Sequence, residues 1–287
     1  MKKMRPTCLN ASCILWLFLG GDALAHGDLH ERIIGVSRQI EEKPLDARLY
    51  VRRADLERQH GDWPAALNDY DQAGKLDPAI DLNLQRGRTL LEASHPELAL
   101  PLLNRVLEST PDNSQALLFR ARAFSQLERP VEAATEFRAA FARALEPSPS
   151  LAIETADSLV VLGLEKDALR FLSASISKIG NHPVLVLRSL DLAIAVREFD
   201  VALIQVEVMR KGAPRSEPWM ARRASILELA GRSDEARAAW QGLVEHLTAL
   251  PNLERGSSAN RQLMEDARKS LTTLDRLVVK KEATPLK

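Results

Sequence analysis

The chain is poor in cysteine, aromatic residues and net charge, and each shortage removes a class of function. Its two cysteines, Cys8 and Cys13, both lie near the N-terminus. Beyond them the sequence offers no thiolate metal site, no cysteine nucleophile and no disulfide framework. Aromatics make up 5% of the 287 residues, against 45% apolar residues dominated by Ala and Leu. Sheets draw on aromatic and β-branched side chains, so this composition favours helices. Lys plus Arg and Asp plus Glu both total 39, which leaves no global basic field for nucleic acid. Catalytic signatures are missing too: there is no GxSxG, no HExxH, no phosphate loop and no GxGxxG. Neither catalysis nor a cofactor is expected.

What is present begins with an export signal. Lys2, Lys3 and Arg5 form a basic start, Cys13 to Gly20 reads CILWLFLG, and Ala23-Leu24-Ala25 supplies small residues around a cleavage site. Together these read as a signal peptide over residues 1–25. The apolar run is shorter than the roughly 20 residues a bilayer span takes, so no membrane span is expected after cleavage. Cys13 precedes most of that run, the wrong order for lipidation. Cleavage removes both cysteines together with Lys2, Lys3, Arg5 and Asp22, leaving 36 basic against 38 acidic residues. Such a chain must be stable through helix packing alone. A bacterial periplasm is the expected compartment, with secretion as the alternative.

The rest of the chain is periodic. From Ala66 the same residue type recurs at Ala99, Ala133, Ala168, Ala202 and Ala236, in steps of 33 to 35. Four residues after each comes a large apolar side chain: Tyr70, Leu103, Phe137, Leu172, Val206 and Trp240. Seven after come Ala73, Val106, Ala140, Ser175, Met209 and Leu243; twelve before come Ala54, Gly87, Ala121, Ala156, Leu190 and Ala224. Offsets of four and seven share one helix face. Each unit is therefore two helices, and the small residues let them approach closely. Pro64, Pro96 and Pro130 fall where second helices begin, Gly61, Gly163 and Gly231 fall between paired helices, and Pro78, Pro111 and Pro214 close units.

This pattern resembles the tetratricopeptide repeat, a 34-residue helix pair. Residues 62–78, DWPAALNDYDQAGKLDP, and 229–240, LAGRSDEARAAW, carry the resemblance most fully, and it extends from about Ala47 to Leu247. Units three and four replace the closing proline with Leu145 and Gly180; unit five has Leu190 at a small-residue position and lacks a turn glycine between Ala195 and Phe199. The resemblance implies an all-α, right-handed superhelical solenoid of about six helix pairs over residues 46–250. A capping helix is expected over 26–45, and a linker, a second capping helix and a disordered tail over 251–287. Leu29, Ile33, Ile34, Val36 and Ile40 give the first cap an apolar face from about Leu29 to Glu42. Leu263, Ala267, Leu271, Leu274 and Val278 do so for the second. Residues 251–258 are expected as a loop, and disorder from Lys280.

In arrays of this family the first helices line a concave face, and unit positions 2, 5, 9, 12 and 13 touch the ligand. Carried over, these positions make Arg58, Arg88 and Arg122 the basic candidates. Asp157, Asp191 and Glu228 are the acidic ones, beside Val160 and Ile194. The expected function is a non-catalytic scaffold or adaptor that holds a peptide or protein partner on this face. The Lys-and-Asn pair that grips chaperone tails is absent: Val51 and Asp55 stand there in the first unit. Two other readings remain. After cleavage the chain would start His26-Gly27-Asp28-Leu29-His30, and the terminal amine with His26 and His30 could bind or deliver copper. Alternatively, the array could be an accessory subunit of an envelope enzyme.

Overall fold

In the computed structural model the backbone is described over residues 19–282 and side chains over residues 28–276. The expected signal segment up to residue 18 and the tail from residue 283 lie outside the described residues, as does the side chain of Val278. The described residues form fifteen helices and no strand. They fall into two compact bodies that meet in sequence at Arg129 and Pro130.

The first body contains α1 (Leu19–Glu42), α2 (Ala47–His60), α3 (Trp63–Leu76), α4 (Asn83–Glu92), α5 (Pro96–Ser109) and α6 (Ser114–Gln126). Each helix packs on the next in sequence, and α4 also touches α6. The pairs α2/α3 and α4/α5 are the first two repeat units. Asp46, Asp62 and Asn113 cap α2, α3 and α6, accepting from Arg48 N, Ala65 N and Ala116 N respectively. On α1, Ile33, Val36 and Ile40 bury against Leu56, so the expected capping face is there. The described part of the helix reaches back to Leu19, beyond the expected start near Leu29. Ala23, Leu24 and Ala25 are strong helix formers and carry the backbone through.

The second body contains α7 (Pro130–Arg143), α8 (Pro149–Val161), α9 (Glu165–Ile179), α10 (Pro183–Ala195), α11 (Phe199–Gly212), α12 (Glu217–Leu229), α13 (Ser233–Ala249), α14 (Asn252–Arg255) and α15 (Ser258–Glu282). Helices again pack on sequence neighbours, and α8 touches α10. Ala267 and Leu274 on α15 join Ala236, Trp240, Leu243 and Leu247 in one core cluster, so α15 closes this body. Two differences from expectation occur here. The loop over 251–258 contains α14, where Arg255 N and Gly256 N bond to Pro251 O and Asn252 O. And α15 runs past Lys280, the expected start of disorder, to Glu282.

The repeat register is right throughout. All 24 positions of the four alanine-centred series are buried except Met209, which is half-buried. Gly87 shows why small residues recur twelve positions ahead: a Cβ there would meet the Leu103 side chain at 3.0 Å. In the fifth unit that logic is inverted, with the larger Leu190 facing a position held by the smaller Val206, both buried.

One feature of the turns was not expected. Gly61, Ser94, Glu128, Gly163, Arg197 and Gly231 all have φ between 55° and 88°. All six occupy the same unit position, one or two residues past the end of the first helix. The bonding is also constant: Gly61 N donates to Arg58 O and Asp62 N to Glu57 O, and Arg197 N donates to Ile194 O and Glu198 N to Ala193 O. The same pair of bonds closes the other four turns. These bonds satisfy the last carbonyls of the first helix and impose the left-handed residue. The missing glycine of the fifth unit therefore leaves the turn intact, and Arg197 adopts the conformation that glycine takes elsewhere.

Candidate functional site

In the first body, the exposed side of α2, α4 and α6 carries a chain of linked charges. Arg58, near the end of α2, is 11% exposed at its side chain. Its Nη1 donates to both carboxylate oxygens of Glu92, at 3.0 and 2.9 Å. Arg88, one turn before Glu92 on α4, donates from Nε to Glu92 Oε1 at 2.8 Å. The guanidinium carbon of Arg88 also lies 5.5 Å from the Phe119 ring centroid, and that of Arg122 lies 5.8 Å from the same centroid. Phe119 on α6 is buried. The three arginines singled out from sequence thus form one array, with Glu92 and Phe119 as the joints. Flat guanidinium groups suit aromatic faces, and stacking leaves their edges for polar contacts.

Behind this array the chain is tied to the core. Tyr70 donates to Asp55 Oδ1 at 2.7 Å. Burial, and then the bond to Asp55, push the Tyr70 phenol well above its ordinary value. Arg53 grips Asp69 with two bonds, at 2.7 and 2.8 Å. That bidentate bond raises the guanidinium of Arg53 further.

In the second body the acidic candidates are paired. Arg188 Nε donates to Asp157 Oδ1 at 2.7 Å, across 31 residues. Arg222 Nη2 stands 3.6 Å from Asp191 Oδ1, again across 31 residues. Glu228 accepts from Trp240 Nε1, while Val160 and Ile194 are half-buried. Two of the three carboxylates read as an acidic stretch, Asp157 and Asp191, are therefore matched by arginines of the following unit.

The sequence reading missed Glu92, Phe119, Arg188 and Arg222. Glu92 sits at unit position 13, already marked as a ligand position, and Phe119, Arg188 and Arg222 all sit at position 6. Position 6 was not considered, although its three arginine or aromatic occupants share a register. As for metal, the His26 side chain lies outside the described residues; the His30 ring centroid lies 6.3 Å from that of His60. Among the described residues, no group of three or more His, Cys, Asp or Glu side chains converges as a metal set would. No described helix is long and apolar enough to cross a membrane.

Residues 84–152 match the family model for the tetratricopeptide repeat. Over that stretch the chain is similar to the tetratricopeptide repeat. A tetratricopeptide repeat protein from Parabacteroides merdae superposes with a TM-score of 0.51 at 18% identity, covering 86% of this chain and 95% of that one. Pseudomonas aeruginosa pilF superposes with a TM-score of 0.51 at 16% identity, covering 73% of this chain and 95% of that one. At such identities these matches speak for the fold, which is an all-α tetratricopeptide solenoid. Sperm-associated antigen 1 of Mus musculus is 31% identical over 111 residues, 38% of this chain. The match spans only 12% of that protein's length. Within the tetratricopeptide frame, the arginine array occupies the first helices of consecutive repeats.

Proposed function

We propose that this protein is a non-catalytic scaffold of the bacterial periplasm that holds an acidic peptide segment of a partner on the first-helix face of its first body. The observation that carries this reading is the placement of Arg88 and Arg122, 34 residues apart in sequence, over one buried ring. Two guanidiniums one repeat step apart give an extended chain two planar forks at regular spacing, each able to grip a carboxylate. Arg58 extends the same line into the preceding repeat through Glu92. The N-terminal basic and apolar segments and the Ala-x-Ala site support export. Mass spectrometry of the protein recovered from the envelope tests the compartment, and an intact Met1 would end that part of the reading.

The binding test uses a fluorescein-labelled peptide of alternating Glu and Gly, read by anisotropy. Reversing Arg88 and Arg122 to Glu together should weaken binding by about 2–5 kcal/mol, the range for losing a desolvated charge pair. Raising salt should weaken binding by wild type as well, because a partly exposed charged face is screened. Wild-type affinity in the double variant, with unchanged helicity, would reject the proposal.

A further inference from the structure

The second body carries a half-open cavity of about 510 Å³ where α12, α13 and the α14–α15 turn meet. Arg215, Glu217, His246, Glu254, Ser257 and Asn260 are among its polar lining residues. A cavity of this size is ample for a small ligand or one long side chain. Glu217, the first residue of α12, is only 5% exposed. Its Oε2 is buried and accepts no hydrogen bond. The Nε of Arg215 stands 3.7 Å away, beyond hydrogen-bond reach. Arg215 is held elsewhere, because its Nη2 donates to Asn260 Oδ1. Asn260, 3% exposed, is itself anchored by a 3.0 Å bond from Nδ2 to Glu254 O. Arg215 thus pairs with Glu217 by charge while its hydrogen bond goes to Asn260. A buried carboxylate oxygen without a donor is costly and calls for a cause. Glu217 and Glu254 also outnumber Arg215, so carboxylates exceed guanidiniums in the lining.

We propose that this cavity binds a nitrogen cation bearing N–H donors, an ammonium or guanidinium group, which donates to Glu217. Such a group supplies the hydrogen that Glu217 Oε2 lacks and offsets the carboxylate charge that Arg215 alone leaves in excess. Metal ions fit poorly, since hard cations take six or more oxygen ligands and no such set converges here among the described residues. The group could belong to a free small amine or to a Lys or Arg side chain of a partner. The site lies in the second body and takes the opposite charge to the acidic peptide, so it stands apart from the function proposed above.

The test uses the processed full chain in nuclear magnetic resonance titrations at constant ionic strength. The probes are n-butylammonium and methylguanidinium chlorides, with tetramethylammonium chloride as a cation without N–H donors. The expected result is saturable shifts at Glu217, His246 and Asn260 with the first two and none with the third. Glu217→Gln should weaken binding by about tenfold or more, because it removes the charge from a charge-assisted hydrogen bond. Glu254→Gln, on the exposed rim, should weaken it a few-fold without disturbing the fold. Blocked Gly-Lys-Gly and Gly-Arg-Gly peptides separate the sources. Tighter binding than the free amines assigns the cation to a partner's side chain, and weaker binding assigns it to a small ligand. Equal binding of tetramethylammonium, or no saturable binding of any N–H cation, would overturn the proposal. That comparison needs only the wild-type chain, so it decides even if Glu217→Gln loses helicity.

Discussion

Arg58 and Glu92 are 34 residues apart in sequence and are joined by two hydrogen bonds from one guanidinium nitrogen, at 3.0 and 2.9 Å. The pair therefore links one repeat to the next across the first helices. Because Glu92 also accepts from Arg88, one carboxylate sets the position of two of the three arginines on the proposed binding face.

Removing that carboxylate should affect stability and binding in opposite directions. Glu92→Ala leaves the largely buried Arg58 without its acceptor. Leaving such a group unpaired typically costs about 1–3 kcal/mol. It also releases two guanidiniums for an incoming carboxylate. Urea denaturation should show the loss, and anisotropy with the Glu/Gly peptide should show equal or tighter binding. Weaker binding would mean that Glu92 orients the arginines rather than competing for them.

The alanine register predicts where bulk cannot be tolerated. Ala168 on α9 is completely buried, and α9 packs against α8. Ala168→Phe should overpack this contact and cost about 1–3 kcal/mol. Lys166→Ala, on the exposed side of the same helix, should change the melting temperature little.

The turns give a paired prediction. Ser94 and Gly163 share a unit position and have φ of 60° and 71°. A left-handed conformation costs a non-glycine residue roughly 1–2 kcal/mol, part of which glycine returns through its greater freedom when unfolded. Ser94→Gly should therefore stabilise by about 0.5–1 kcal/mol, and Gly163→Ala should destabilise by about 1 kcal/mol. Matching shifts of the same sign in thermal melts would contradict the shared turn geometry.

Tyr70 makes stability fall at high pH. Burial and the bond to Asp55 raise its phenol in the folded state, while the unfolded phenol titrates near 10. Above that pH the unfolded chain holds fewer protons than the native one, so stability decreases as pH rises. Phenolate absorbance should show one of the two tyrosines ionising only as the protein unfolds. Tyr70→Phe, which lacks the group, should be less stable at neutral pH but lose less stability between pH 9 and 11.

The sequence was most informative where geometry forces a residue type. Ala66 to Ala236 could be placed because close helix approach admits little else, and their burial followed. The turns were only half legible. Gly61 announces a left-handed residue, but Glu128 and Arg197 adopt the same conformation without any compositional sign, since two backbone bonds impose it. The binding face was legible in its arginines and not in their partners. Arg88 and Arg122 could be placed by register, whereas Glu92, Arg188 and Arg222 depend on how far one unit is offset from the next. The cavity at Glu217 had no signal at all, because Arg215, His246 and Asn260 meet only when α15 folds back beside α12.

The two aspartate–arginine pairs of the second body bear on how such an array can change length. Asp157 reaches Arg188 and Asp191 reaches Arg222 over the same interval of 31 residues. Excising residues 183–216, one whole unit, would bring Arg222 to the place that Arg188 now holds, opposite Asp157. The joint is thus indifferent to which neighbour it meets. A chain built this way can lose or duplicate that unit in one genetic step and still close the seam with a matched pair.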